Sequence, residues 1–160
     1  MRRLLVLTLA GGLLVLPSLA FAGSSATQTV TYQVQAINEV SASGNPAALV
    51  VSAAMAGSQP GEVTNTATTY AITTNETKKI TAAIDTAMPA NVTLKINLTA
   101  PTGGSSAGDV TLTAVAADVV TGVSQVAESG KTITYKLSAT VAAGVVASAT
   151  KTVTLTIAAP

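Results

Sequence analysis

Few side chains in this 160-residue chain can do chemistry, because it contains neither histidine nor cysteine. Their absence removes the commonest general base, the commonest metal ligand, thiolate zinc sites, cysteine nucleophiles and any disulfide framework. A nucleophile would have to be a serine or threonine activated by lysine, and the alternative is a pair of carboxylates. Ser129-Gly130-Lys131 reads as the end of a hairpin, and the seven acidic residues are scattered singly, with no local pair of the kind a glycosidase uses. Asp85, Asp109, Asp118 and Glu128 are the acids that loops would have to bring together to hold calcium, yet no Asp-x-Asp-x-Asp loop occurs and each reads more simply as surface. Gly103, Gly104 and Gly108 lie in a loop with no Lys-Ser/Thr after them, so they form no phosphate cradle. The sequence reads as that of a protein that is not an enzyme and carries no metal or cofactor.

The remaining distinctive side chains are the three tyrosines, which share one local pattern. Thr31-Tyr32-Gln33-Val34, Thr69-Tyr70-Ala71-Ile72 and Thr134-Tyr135-Lys136-Leu137 each read Thr-Tyr-x-aliphatic. In a strand the tyrosine and the aliphatic residue share a face. The expectation is three bulky core residues with hydroxyls reaching the rim, and the competing reading is an aromatic platform for a sugar.

The elements that must position these residues begin after an export signal over residues 1–22. Arg2 and Arg3 supply its basic start, Leu4 to Leu16 its apolar run, and Ala20-Phe21-Ala22 a small-x-small cleavage site. The apolar run is too short to span a bilayer, which takes roughly 20 residues. Cleavage after Ala22 removes both arginines and leaves six lysines against seven acids, a net charge of −1. Such a chain has no electrostatic footprint for nucleic acid or anionic lipid. A secreted or cell-surface location follows, with no membrane span in the mature protein.

Residues 23–160 read as one all-β domain. Threonine and valine are abundant, and their β-branched side chains suit a pleated, half-buried surface. Period-two alternation recurs, and no stripe of helical period lasts beyond one turn. Strands are expected over Thr29–Ile37, Ala48–Met55, Thr68–Thr74, Lys79–Asp85, Val92–Thr99, Val110–Ala114, Ile133–Val141 and Val153–Ile157, with Val115–Val126 ambiguous. Turns are expected at Gly57–Gly61, Asn75-Glu76-Thr77, Met88–Asn91, Pro101–Gly108 and Glu128-Ser129-Gly130. About eight to nine strands at these spacings imply an immunoglobulin-like Greek-key β-sandwich. An eight-stranded membrane barrel fits the length but needs aromatic girdles, which three tyrosines do not make.

The run from Ile84 through Met88-Pro89-Ala90-Asn91 to Pro101-Thr-Gly-Gly-Ser-Ser-Ala-Gly108, followed by Asp109-Val-Thr-Leu112 and Asp118-Val-Val-Thr-Gly122, resembles segments of small secreted bacterial β-sandwich proteins. In architecture the chain also resembles fimbrial and other extracellular filament subunits with immunoglobulin-like folds. It departs from chaperone-usher pilins in lacking their cysteine pair and near-terminal tyrosine.

The expected function is therefore that of a secreted structural protein, a subunit of a filament, matrix or surface layer. Its partner would be another copy of itself, joined by strand pairing. Residues 23–37 supply either the donated strand or the first strand of the domain itself. In the donated form Val30, Tyr32, Val34 and Ala36 are the contact residues, filling alternate pockets of a neighbour. The alternative is a monomeric binding module for carbohydrate or a cell-surface partner, using loops 56–62 and 101–108.

Overall fold

The computed structural model describes residues 24–160, so the expected signal at 1–22 lies outside the described residues. The chain divides between Gln33 and Val34, and every strand belongs to the second unit. This unit is all-β. Seven strands, β1 (Asn38–Ala42), β2 (Val63–Ile84), β3 (Val92–Leu98), β4 (Ser105–Ser106), β5 (Val110–Thr111), β6 (Ala117–Ala139) and β7 (Val153–Ala158), form one antiparallel sheet. Among the described residues the one helical element is a 3-10 turn at Val141–Ala143. No helix among them is long and apolar enough to cross a membrane.

Two very long strands organise the sheet. β2 and β6, of 22 and 23 residues, pair along almost their whole length. β1 and β7 occupy successive stretches of the outer edge of β2, at Tyr70–Thr74 and Lys79–Ile84. β3 and β4 do the same on the far edge of β6, and β5 adds to β3. Side chains from both ends of the long strands enter one core: Tyr70, Ile80, Ile84, Val120 and Ile133 are all buried. A lone flat sheet cannot hide a face, so this sheet curls back over itself. The bond from Ile84 N to the Thr113 carbonyl (2.9 Å) ties the end of β2 to the chain leaving β5.

The curl has a local cause in the β2–β6 ladder, whose register shifts five times. Between Tyr70/Lys131 and Ile72/Glu128, β6 carries one residue more than β2, and Gly130 there has φ of 67°. A second extra residue falls between Val123 and Val120, where Gly122 has φ of 68°. Glycine accepts this left-handed conformation without the clash a Cβ brings, and each bulge bends and twists its strand. A bulge at Val119 lets the consecutive residues Val119 and Val120 both bury completely.

Several expectations are corrected here. Among the described residues there are seven strands rather than eight or nine. Asn75-Glu76-Thr77 and Glu128-Ser129-Gly130 reverse nothing; they are bulge sites inside β2 and β6, so the two strands expected at Thr68–Thr74 and Lys79–Asp85 are one, and the ambiguous Val115–Val126 runs on into the strand expected from Ile133. Ala48–Met55 forms no strand, and Val50 and Met55 stand exposed. Its alanines offer little apolar surface, and only Leu49 packs on the core.

Thr29–Ile37 is likewise not a strand of the domain, since β1 starts at Asn38. For Val34–Ile37 the reason lies in the edge it would need: past the Asn38–Thr74 pair the β2 strand is irregular, with a register shift between Thr74 and Thr77. The strand β3, by contrast, follows the expected alternation, with Leu94, Ile96 and Leu98 inward and Thr93, Lys95 and Asn97 outward.

Candidate functional site

Residues 24–37 are exposed throughout and hold no charged side chain. Val30, Tyr32 and Val34 expose 76%, 90% and 78% of their surfaces, and Ala36 is exposed as well. The core role expected for the three tyrosines therefore holds for two and fails for Tyr32. Tyr70 is buried, and its hydroxyl donates to the Thr99 carbonyl at 2.7 Å. Burial, with the charge of Glu128 second, pushes the Tyr70 phenol up to about 12. Tyr135 is also largely buried, which raises its phenol.

Where this segment meets β1, Asn75 fastens the main chain. Its Nδ2 donates to the Gln35 carbonyl at 2.8 Å, its Oδ1 accepts from Ile37 N at 2.9 Å, and its own amide donates to the Ile37 carbonyl at 3.2 Å. The register shift between Thr74 and Thr77 leaves Asn75 without a partner in the β2–β6 ladder.

Among the described residues the domain carries a groove of about 860 Å³. One wall is β1 with the following segment to Leu49, and the other is β7 with residues 148–152. Leu94, Tyr135 and Leu137 lie between them. Leu94 and Tyr135 belong to the buried core and Leu137 is half-buried. Lys151 is the single charged residue in the lining, and its ammonium is already engaged with Thr86 Oγ1 at 2.6 Å and the Ala87 carbonyl at 2.9 Å. Among the described residues β7 pairs with β2 alone, and no other backbone group bonds to its outer edge.

The acidic residues are spent separately. Glu128 accepts from Thr102 N at 3.0 Å and pairs with Lys131 at 2.5 Å; these contacts, Lys131 foremost, lower its carboxyl to about 2. Asp109 meets Lys136 at 2.6 Å and Asn97 at 3.1 Å, which lowers its carboxyl too. Asp118 pairs with Lys79, and Asp85 accepts from Thr86 N and Thr152 N. Among the described residues no three acids gather where a metal would bind.

Two serine motifs find no catalytic setting either. Gly104-Ser105-Ser106-Ala107-Gly108 has Gly-x-Ser-x-Gly spacing, but Ser105–Ser106 is β4, paired to β6, and not a turn from strand into helix. The Ser106 hydroxyl bonds Asn97 Oδ1 and accepts from Gly108 N. Ser148-Ala149-Thr150-Lys151 has Ser-x-x-Lys spacing in irregular chain, with the lysine held by Thr86 and Ala87. Of the two expected binding loops, 101–108 is anchored by buried Pro101, β4 and Glu128, while 56–62 is mostly exposed.

No family model, no curated protein and no solved structure matches this chain.

Proposed function

We propose that this chain is a secreted structural protein, a subunit of an extracellular filament, matrix or surface layer built by strand pairing between copies. One observation carries the reading. Thr29–Ala36 is an uncharged segment with strand alternation, and its apolar set Val30, Tyr32 and Val34 is exposed and unpaired. A tyrosine with nine-tenths of its surface in water on a β-prone segment is a strand-pairing hazard unless it has a partner. Pairing with a neighbour turns the hazard into a contact, with backbone bonds giving affinity and side chains giving register. The fold that accompanies this reading is an immunoglobulin-like Greek-key sandwich, in which β2 and β6 pass between layers at their bulges. Its support is the single core fed from both ends of those strands.

The test is assembly of the exported chain, followed by sedimentation and electron microscopy over a range of concentrations. Fibres or sheets are expected, and Tyr32→Asp combined with Val34→Asp should abolish them while leaving thermal stability unchanged. A wild-type chain that stays monomeric at every concentration would overturn the proposal.

A further inference from the structure

We infer that the groove between β1 and β7 is the acceptor for residues 29–36 of a second copy, which add as a strand to the free edge of β7. The inference rests on the strand-pairing reading above and assigns its missing half.

The groove has the chemistry that the segment requires. Leu137, half-buried, lines it, and beneath lie the edges of Leu94 and Tyr135, which are otherwise buried. Apart from Lys151, whose ammonium is engaged, it is uncharged, as is the whole stretch 24–37. Neutral main chain can enter without stripping water from an unpaired charge. The Tyr135 hydroxyl makes no hydrogen bond among the described residues, although Tyr70 in the same sequence pattern has one. An entering strand brings backbone carbonyls to such a donor.

The dimensions agree as well. At a strand rise of about 3.4 Å per residue, the apolar set Val30 to Val34 spans roughly 14 Å against roughly 17 Å for the six residues of β7, and the full segment 29–36, roughly 24 Å, extends past both ends of β7. Three alternate side chains, Val30, Tyr32 and Val34, then face the groove while Thr31 and Gln33 face out. Tyr32 against Tyr135 gives an aromatic pair where the groove is lined by its largest side chain.

A second copy is the occupant because every copy carries this groove and one exposed apolar segment, in equal number. Seating the strand of one in the groove of the next covers both. The contact is heterologous, so it propagates instead of closing and yields a fibre.

The chain has no cysteine, which makes cross-linking unambiguous. Exported Val34→Cys and Leu155→Cys variants would be mixed in equal amounts, allowed to assemble and oxidised, with Val34→Cys plus Thr66→Cys as the control pair outside the groove. Val153→Cys replaces Leu155→Cys if that variant does not fold. The inference predicts a mixed 34–155 or 34–153 disulfide between copies at a yield at least about tenfold above the control, as high local concentration gives. Assembly that needs residues 29–36 but links position 34 no better to 155 or 153 than to 66 would overturn the groove and leave the proposed function standing. A disulfide formed only within one chain, in the Val34→Cys/Leu155→Cys double variant, would also overturn it. If the cysteine-free chain never assembles, the proposed function falls and the acceptor falls with it.

Discussion

Asn75 holds the main chain of Ile37 from both sides, accepting its N–H on the side-chain oxygen and donating its own N–H to the Ile37 carbonyl. The pair sets the point where the exposed segment becomes β1. Asn75→Ala should lower stability by about 1 to 2 kcal/mol, since two side-chain hydrogen bonds are lost at an exposed site. It should also speed amide exchange at Ile37. Unchanged exchange there would show that the clamp does not hold in solution.

The tyrosines divide by role. Tyr70→Ala should cost roughly 3 to 5 kcal/mol, the usual range for truncating a buried aromatic. Tyr32→Ala should stay within about 0.5 kcal/mol of wild type, as surface changes do, yet impair assembly. Chemical denaturation of both variants, with sedimentation of the second, checks the division. A large stability loss in Tyr32→Ala would place that ring in a core.

Stability should respond to pH at both extremes. Tyr70 ionises near 10 when unfolded and at about 12 when folded, so the native state holds its proton longer. Its contribution is intact below pH 10 and is lost as pH rises through 12. Glu128 moves the other way, from 4.5 to about 2, so its contribution is intact above pH 4.5 and is lost as pH falls through 2. Denaturation midpoints of wild type against Tyr70→Phe, and against Glu128→Gln, should converge with wild type at the alkaline and acid ends respectively. Parallel curves would contradict the assigned shifts.

The two bulge glycines make a further prediction. Gly130 and Gly122 sit at φ of 67° and 68°, where a Cβ costs roughly 1 to 2 kcal/mol. Gly130→Ala and Gly122→Ala should each destabilise by about that amount, although no atom crowds either position closer than 3.9 Å. Thermal melts that match wild type would mean the ladder can shed its bulges.

These glycines also show how much of the fold the sequence discloses. A glycine in left-handed conformation serves a turn and a bulge equally, so Glu128-Ser129-Gly130 looks like a hairpin although β6 runs through it. The alternation of β3 and β7 is legible because single runs of large aliphatic residues carry it. The segment 29–37 has an equally clear alternation and the same Thr-Tyr-x-aliphatic pattern as two core tyrosines. Alternation reports that a strand face wants burial, and it does not report which chain covers it. The groove was not legible, because its walls come from β1 and β7, more than a hundred residues apart, and neither carries a binding motif.

The central claim is that residues 29–36 become a paired strand only when copies meet. Amide hydrogen exchange of the exported chain, compared between dilute monomer and assembled material, tests it at the backbone. The account predicts fast exchange over 29–36 in the monomer and strong protection in the assembly, with protection also appearing along the outer edge of β7. Residues 29–36 that exchange equally fast in both states would contradict it.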